Sequence, residues 1–95
     1  MTLDIGDVVT LTTPCLGNKP GTRGIVFNRY SAFDDDGWGV QIIFENGEYD
    51  GFSPEEQDSF LNFETSDVPD YRNYIFKNVM QVTKDFNTGF WRKIL

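Results

Sequence analysis

The sequence predicts a mainly β protein: a small, strongly bent five-stranded barrel with a short helix before the last strand and a C-terminal extension. Three observations predict it. Three glycine-anchored segments, 5–11, 21–27 and 38–49, are rich in β-branched and aromatic residues. Asn46-Gly47 sits where a tight hairpin turn is needed. Ser53-Pro54-Glu55-Glu56 has the order of a helix start.

The elements follow in order. Asp7 to Thr12 alternates as a half-buried strand does. Its partner, Thr22 to Arg29, comes after a loop containing Pro14, Gly17, Pro20 and Gly21, none of which suits a central strand. Gly24 within that strand predicts a bulge or a close backbone approach. An acidic loop from Tyr30 to Gly37 ends in Asp34-Asp35-Asp36-Gly37, and Trp38 to Glu45 is the strongest strand. Asn46-Gly47 predicts a two-residue type I′ turn, because both residues tolerate positive φ, and Glu48 to Phe52 returns as the paired strand.

Ser53 can accept from the third helical N–H, Pro54 suits the first helical position, and Glu56 can complete a capping box. A short helix to about Leu61 is expected, with Phe60 and Leu61 tucked into the core. Asn62 to Asn73 is polar and reads as a loop. Ile75 to Thr83 resumes an extended pattern, with Val79-Met80-Gln81-Val82 as the last strand. Lys84 to Leu95 carries Phe86, Phe90, Trp91, Ile94 and Leu95 near helical spacing, yet Asn87-Thr88-Gly89 equally suits a turn into one more strand. The expected organisation is one domain, with a barrel over 1–83 and an extension over 84–95 that packs on it.

Composition bounds the function. The chain has 95 residues, 39 % of them hydrophobic and 16 % aromatic, enough for one core. Met1 to Gly6 lacks a basic start and an apolar run, so no signal peptide is expected. No apolar stretch nears the roughly 20 residues of a membrane span. The single Cys15 cannot form an internal disulfide, and with no histidine it cannot build a zinc site. A cytoplasmic setting is expected.

Charge is unevenly distributed. Residues 1–70 carry Lys19, Arg23 and Arg29 against fourteen carboxylates, a net of −11, whereas residues 71–95 carry five cations against Asp85 alone, a net of +4, giving −7 in all. Such an acidic barrel repels phosphate backbones and complements a basic protein segment.

The order Ile-Gly-Asp-Val-Val, Gly-x-x-Gly-Ile-Val, Trp-Gly-Val-x-Ile-x-Phe-x-Asn-Gly, then strand, helical turn and strand, resembles an SH3-like barrel of the Tudor or KOW kind. The resemblance spans about residues 5–83 and implies a binding module. KOW-type domains that bind ribosomal RNA are typically basic, and here the chain departs from them.

Catalytic signals are weak. Without histidine, Cys15 and the serines lack the usual base. Gly17 to Gly24 lacks the Gly-Lys-Ser/Thr ending of a phosphate loop. Asp34 and Asp36 at positions three and five of a calcium loop would put Ala32 at position one and Ile43 at position twelve, so the EF-hand pattern fails. No enzyme activity, metal or cofactor is expected.

Aromatic rings beside carboxylates suit a methylated ammonium, an arginine or a proline-rich segment. The expected partner contacts are Tyr30, Phe33, Asp34, Asp35, Asp36, Glu48, Tyr49 and Asp50. Alternation from Trp38 puts it on the face of Val40, Ile42 and Phe44, which reads it as core; a surface role is the competing reading. Three functional alternatives stay open: a module binding a basic protein segment, an acidic inhibitor of phage or toxin–antitoxin type that mimics nucleic-acid charge, and nucleic-acid association through the basic C-terminal segment with Trp91 or Tyr74 stacking on a base. A monomer or weak homodimer without membrane contact is expected.

Overall fold

The computed structural model describes residues 1–31 and 37–95. Five strands form one antiparallel sheet in the order β4-β3-β2-β1-β5: β1 Val8–Leu11, β2 Arg23–Ser31, β3 Trp38–Phe44, β4 Tyr49–Phe52 and β5 Leu61–Thr65. Helix α1, Pro54–Phe60, joins β4 to β5, and α2, Pro69–Arg72, and α3, Val79–Thr88, follow the sheet. Among the described residues no ladder closes β4 onto β5, so the sheet has two edges. No helix among the described residues is long and apolar enough to cross a membrane.

Strand β2 departs from a regular ladder at Phe27 and approaches β3 closely at Gly24. Register shifts between Val26 and Asn28 in the β2–β3 ladder, and a Cβ on Gly24 would lie 2.5 Å from Ile42 Cγ2. That is the close approach expected at this glycine.

Both faces of the sheet are covered. On the inner face, Leu3, Val9, Leu11, Val26, Val40, Ile42, Phe44, Phe52 and Leu61 pack together. Helix α1 closes this side: the buried Gln57 donates from Nε2 to the carbonyls of Trp38 at 2.9 Å and Phe52 at 3.1 Å. Its start is the expected capping box. Glu56 N–H donates to Ser53 Oγ at 3.2 Å, and Ser53 N–H donates to Glu56 Oε1 at 3.0 Å. On the outer face, Val8, Ile25, Phe27 and Ile43 pack against Tyr71, Val82 and Trp91 of the C-terminal segment.

Three expectations are corrected. Val79 to Val82 is not the last strand but the start of α3. The Asn78 side chain accepts from Gln81 N–H at 2.9 Å, Val82 and Phe86 face the sheet, and Gly89 ends the helix at φ 90. The last strand is Leu61–Thr65, in a stretch that reads as a helix end and polar loop. Only Leu61 of β5 is buried, so this edge strand is held by its backbone ladder to β1 and shows no apolar alternation. The β3–β4 turn is not type I′. Gly47 has φ +83 while Asn46 does not have positive φ, and Gly47 N–H donates to Phe44 O at 2.9 Å. This is a type I turn followed by a glycine bulge. Asn46 serves through its side chain, accepting from Glu48 N–H at 3.0 Å and from Asn18 Nδ2 at 3.0 Å while donating to Leu16 O at 2.9 Å.

Candidate functional site

Tyr30 stands near the end of β2, paired with Gly39 of β3. A Cβ on Gly39 would sit 2.2 Å from the Tyr30 ring, and one on Gly51 would sit 3.3 Å from its hydroxyl. Two glycines in neighbouring strands therefore form the floor on which this ring lies. Desolvation there, then the charges of Glu56 and Asp50, push the Tyr30 phenol above its ordinary pKa.

Tyr49, the first residue of β4, shares that outer face: it meets Phe27 edge-on with centroids 6.3 Å apart. Strand alternation turns Glu48 and Asp50 the other way, so the two tyrosines and these two carboxylates occupy opposite sides of one edge strand. The structure thus brings Tyr30 and Tyr49 onto one face and sets Asp50 within electrostatic reach of the Tyr30 hydroxyl. Phe33, Asp34, Asp35 and Asp36 lie outside the described residues.

Trp38 takes the surface reading of the two left open by the sequence: it is 53 % exposed, because β3 begins there, beyond the last inward position covered by the sheet, Val40. The Arg29 guanidinium lies 5.0 Å from its ring centroid and pairs with Asp4 at 3.8 Å. Trp38 and Arg29, with Leu3 and Pro54, line a recess of about 170 Å³. Arg29 was missed as a surface residue of this group; its place two residues after a bulge is what turns it toward Trp38.

Besides Asp4, four carboxylates have cationic partners among the described residues. Asp7 pairs with Arg72 at 3.4 Å, Glu64 with Arg23 at 3.0 Å, Asp58 with the N-terminus at 3.0 Å, and Asp70 with Lys93. Glu45, Glu48, Asp50, Glu55 and Glu56 are exposed, and among the described residues none of them forms an ion pair. No lysine or arginine occurs between Arg29 and Arg72, and the cations that reach into this stretch pair with Asp58, Glu64 and Asp70 instead. Carboxylates without ion-pair partners therefore cluster on the β3–β4 hairpin and the start of α1.

Other chemistry is sparse. Burial, and secondarily the Asp50 charge, push the Cys15 thiol above its ordinary pKa, which lowers its thiolate fraction. No three histidine, cysteine, aspartate or glutamate side chains converge as metal ligands among the described residues. Trp91 is buried at 1 % exposure among Tyr71, Tyr74 and Phe90, so its ring is not free to stack on a base. The Tyr74 hydroxyl donates to Asp85 at 2.6 Å.

Comparison of the chain with protein-family models, with curated proteins and with solved structures finds no match.

Proposed function

We propose that this protein is a non-enzymatic interaction module, an open variant of the SH3-like barrel, that engages a basic protein segment through the β3–β4 hairpin and its flanks. The observation that carries the reading is the run of exposed carboxylates without ion-pair partners, Glu45, Glu48, Asp50, Glu55 and Glu56, beside the half-exposed rings of Tyr30 and Tyr49. Unpaired surface acids lose little solvation when a flexible cation meets them, and aromatic faces add attraction for guanidinium or ammonium groups. In this reading Asp34, Asp35 and Asp36 add to the attraction for the same basic partner. The strand order β4-β3-β2-β1-β5 and the helix directly before β5 support the barrel relationship. The unpaired Cys15 thiol suits a reducing cytoplasmic setting.

The test is titration with an arginine- and lysine-rich peptide at increasing salt. Affinity is expected to fall steeply as the ionic strength passes 0.1 M, where exposed charges are screened within about 10 Å. Replacing Glu48 and Asp50 by their amides, or all of Asp34, Asp35 and Asp36 by asparagine, should weaken binding further. A salt-insensitive complex, or one indifferent to both substitutions, excludes this function.

A further inference from the structure

We infer that the partner segment binds as an added β-strand along β4, with residues that alternate between apolar and cationic. The inference rests on the proposed basic partner and adds to it a conformation, a register and a sequence pattern.

Strand β4 is an edge of the sheet. Phe44 N–H donates to Glu48 O at 2.9 Å, so Glu48 faces β3. Antiparallel alternation then turns Asp50 and Phe52 toward β3 as well, and the backbone groups of Tyr49 and Gly51 outward. Among the described residues the only bond to these outward groups is a local one: Gly51 N–H donates to the neighbouring Asp50 Oδ1 at 2.8 Å. An incoming carbonyl can replace that acceptor, which frees the Asp50 carboxylate for a cation. Such an edge is a ready template for another strand.

The two sides of this edge differ in chemistry. On the outer side an open groove of about 450 Å³ runs between Tyr49 and α3, lined by Val79, Met80, Thr83 and Lys84. Met80 is 79 % exposed and Tyr49 36 %, an apolar surface left open among the described residues. On the other side stand Glu48 and Asp50, followed beyond the strand end by Glu55 and Glu56. Residues directly opposite one another in paired strands share a face. A segment residue opposite Tyr49 therefore enters the groove, one opposite Gly51 lies on the same face beside the Tyr30 ring, and one opposite Glu48 or Asp50 meets carboxylates. Lys84 at the groove disfavours a cation on the outer side, so the charges of the two sides enforce the same alternation.

The experiment uses the whole chain and three capped synthetic peptides followed by amide NMR. One alternates valine and lysine, one has the same composition in two blocks, and one alternates valine and glutamate. The alternating lysine peptide is expected to bind at least about tenfold more tightly than either other peptide and to shift the amides of Tyr49, Gly51 and Val79 to Lys84. N-methylation of the backbone amides that pair with β4 should abolish binding. Met80→Glu and Asp50→Lys, both at exposed positions, should each weaken it about tenfold. Equal binding of the block peptide, or insensitivity to N-methylation, overturns strand addition while leaving the basic-partner reading standing. Equal binding of the glutamate peptide overturns the charge pattern and the basic partner with it. If no alternating peptide binds although the arginine- and lysine-rich peptide does, the edge is not the docking site.

Discussion

The two faces of the sheet are built by different means. The inner face is made of aliphatic and phenyl side chains from the strands themselves, with Leu3 and the end of α1 closing it. The outer face contributes four residues, Val8, Ile25, Phe27 and Ile43, and takes the rest of its core from the segment after Thr65. That segment brings Tyr71, Tyr74, Phe90 and Trp91, whose rings meet at centroid distances of 4.7 to 5.5 Å. The two halves join at Gly6, where φ is +90 and a Cβ would lie 2.7 Å from the backbone of Arg72. A short sheet can thus bury one face by bending, but burying both requires a cover from outside the sheet. In this chain the C-terminal segment is that cover.

Removing the centre of the cover gives the largest expected effect. Trp91→Ala deletes a fully buried indole, a change that costs about 3–5 kcal/mol where the cavity cannot collapse. For a domain of this size that lowers the melting temperature by about 12 °C or more. If the two faces form one cooperative unit, calorimetry will show a single transition displaced to lower temperature. A melting temperature within a degree or two of the parent would mean that the aromatic cluster is an appendage, and the comparison of the faces would collapse.

The same comparison explains what was legible in the sequence. Val8-Val9, Ile25-Val26-Phe27 and Ile42-Ile43-Phe44 are consecutive residues that are all fully buried. Continuous apolar runs of this kind belong to strands covered on both sides. Alternation picks out only the inner half of them, and from Trp38 it assigns a core role to a residue that lies past the covered region. β5 is invisible to patterning because Asn62, Phe63 and Glu64 are exposed and the backbone ladder to β1, with the Arg23–Glu64 pair, places them. α3 hides behind three β-branched residues, Val79, Val82 and Thr83, although Asn78 and Gly89 mark its two ends. At the candidate site, Tyr30 and Tyr49 are readable as surface aromatics, but their shared glycine floor and the groove beside α3 depend on strand register. The acidic field is legible directly, since a chain segment without a cation must find its counter-charges elsewhere.

The faces should also separate by pH. All four tyrosines lie on the outer side, whereas the inner core has phenyl rings and no phenol. Burial, then the bond to Asp85 and its charge, hold the Tyr74 phenol far above its ordinary value of 10.0, and burial raises Tyr71 as well. A phenol whose pKa is raised on folding contributes stability that is complete below pH 10 and lost as pH climbs toward its folded value. The bond to Asp70 raises Lys93 from 10.5, and that contribution too is lost as pH rises. The melting temperature is therefore expected to decline above about pH 10, with the Trp91 fluorescence change leading any loss of strand signal. Tyr74→Phe should flatten this decline. An identical slope in the variant would remove Tyr74 from the account.

The smallest expected effect lies on the inner side, where α1 closes the core. Ser53→Ala removes the acceptor for Glu56 N–H and half of the capping box, while the Pro54 start and the buried Gln57 remain. Loss of an N-cap costs about 1 kcal/mol, or roughly 4–8 °C for a domain of this length. The two Gln57 bonds to the Trp38 and Phe52 carbonyls keep the helix docked on β3 and β4, so the change should act on stability without moving Trp38. Thermal unfolding measures the first quantity and Trp38 fluorescence, in a Trp91→Phe background, reports the second. A shift in Trp38 emission at temperatures well below the transition would show that the helix start holds the rim as well as the core. The inner face would then depend on elements beyond its strands as strongly as the outer face does, and the distinction between them would narrow to one of aromatic content.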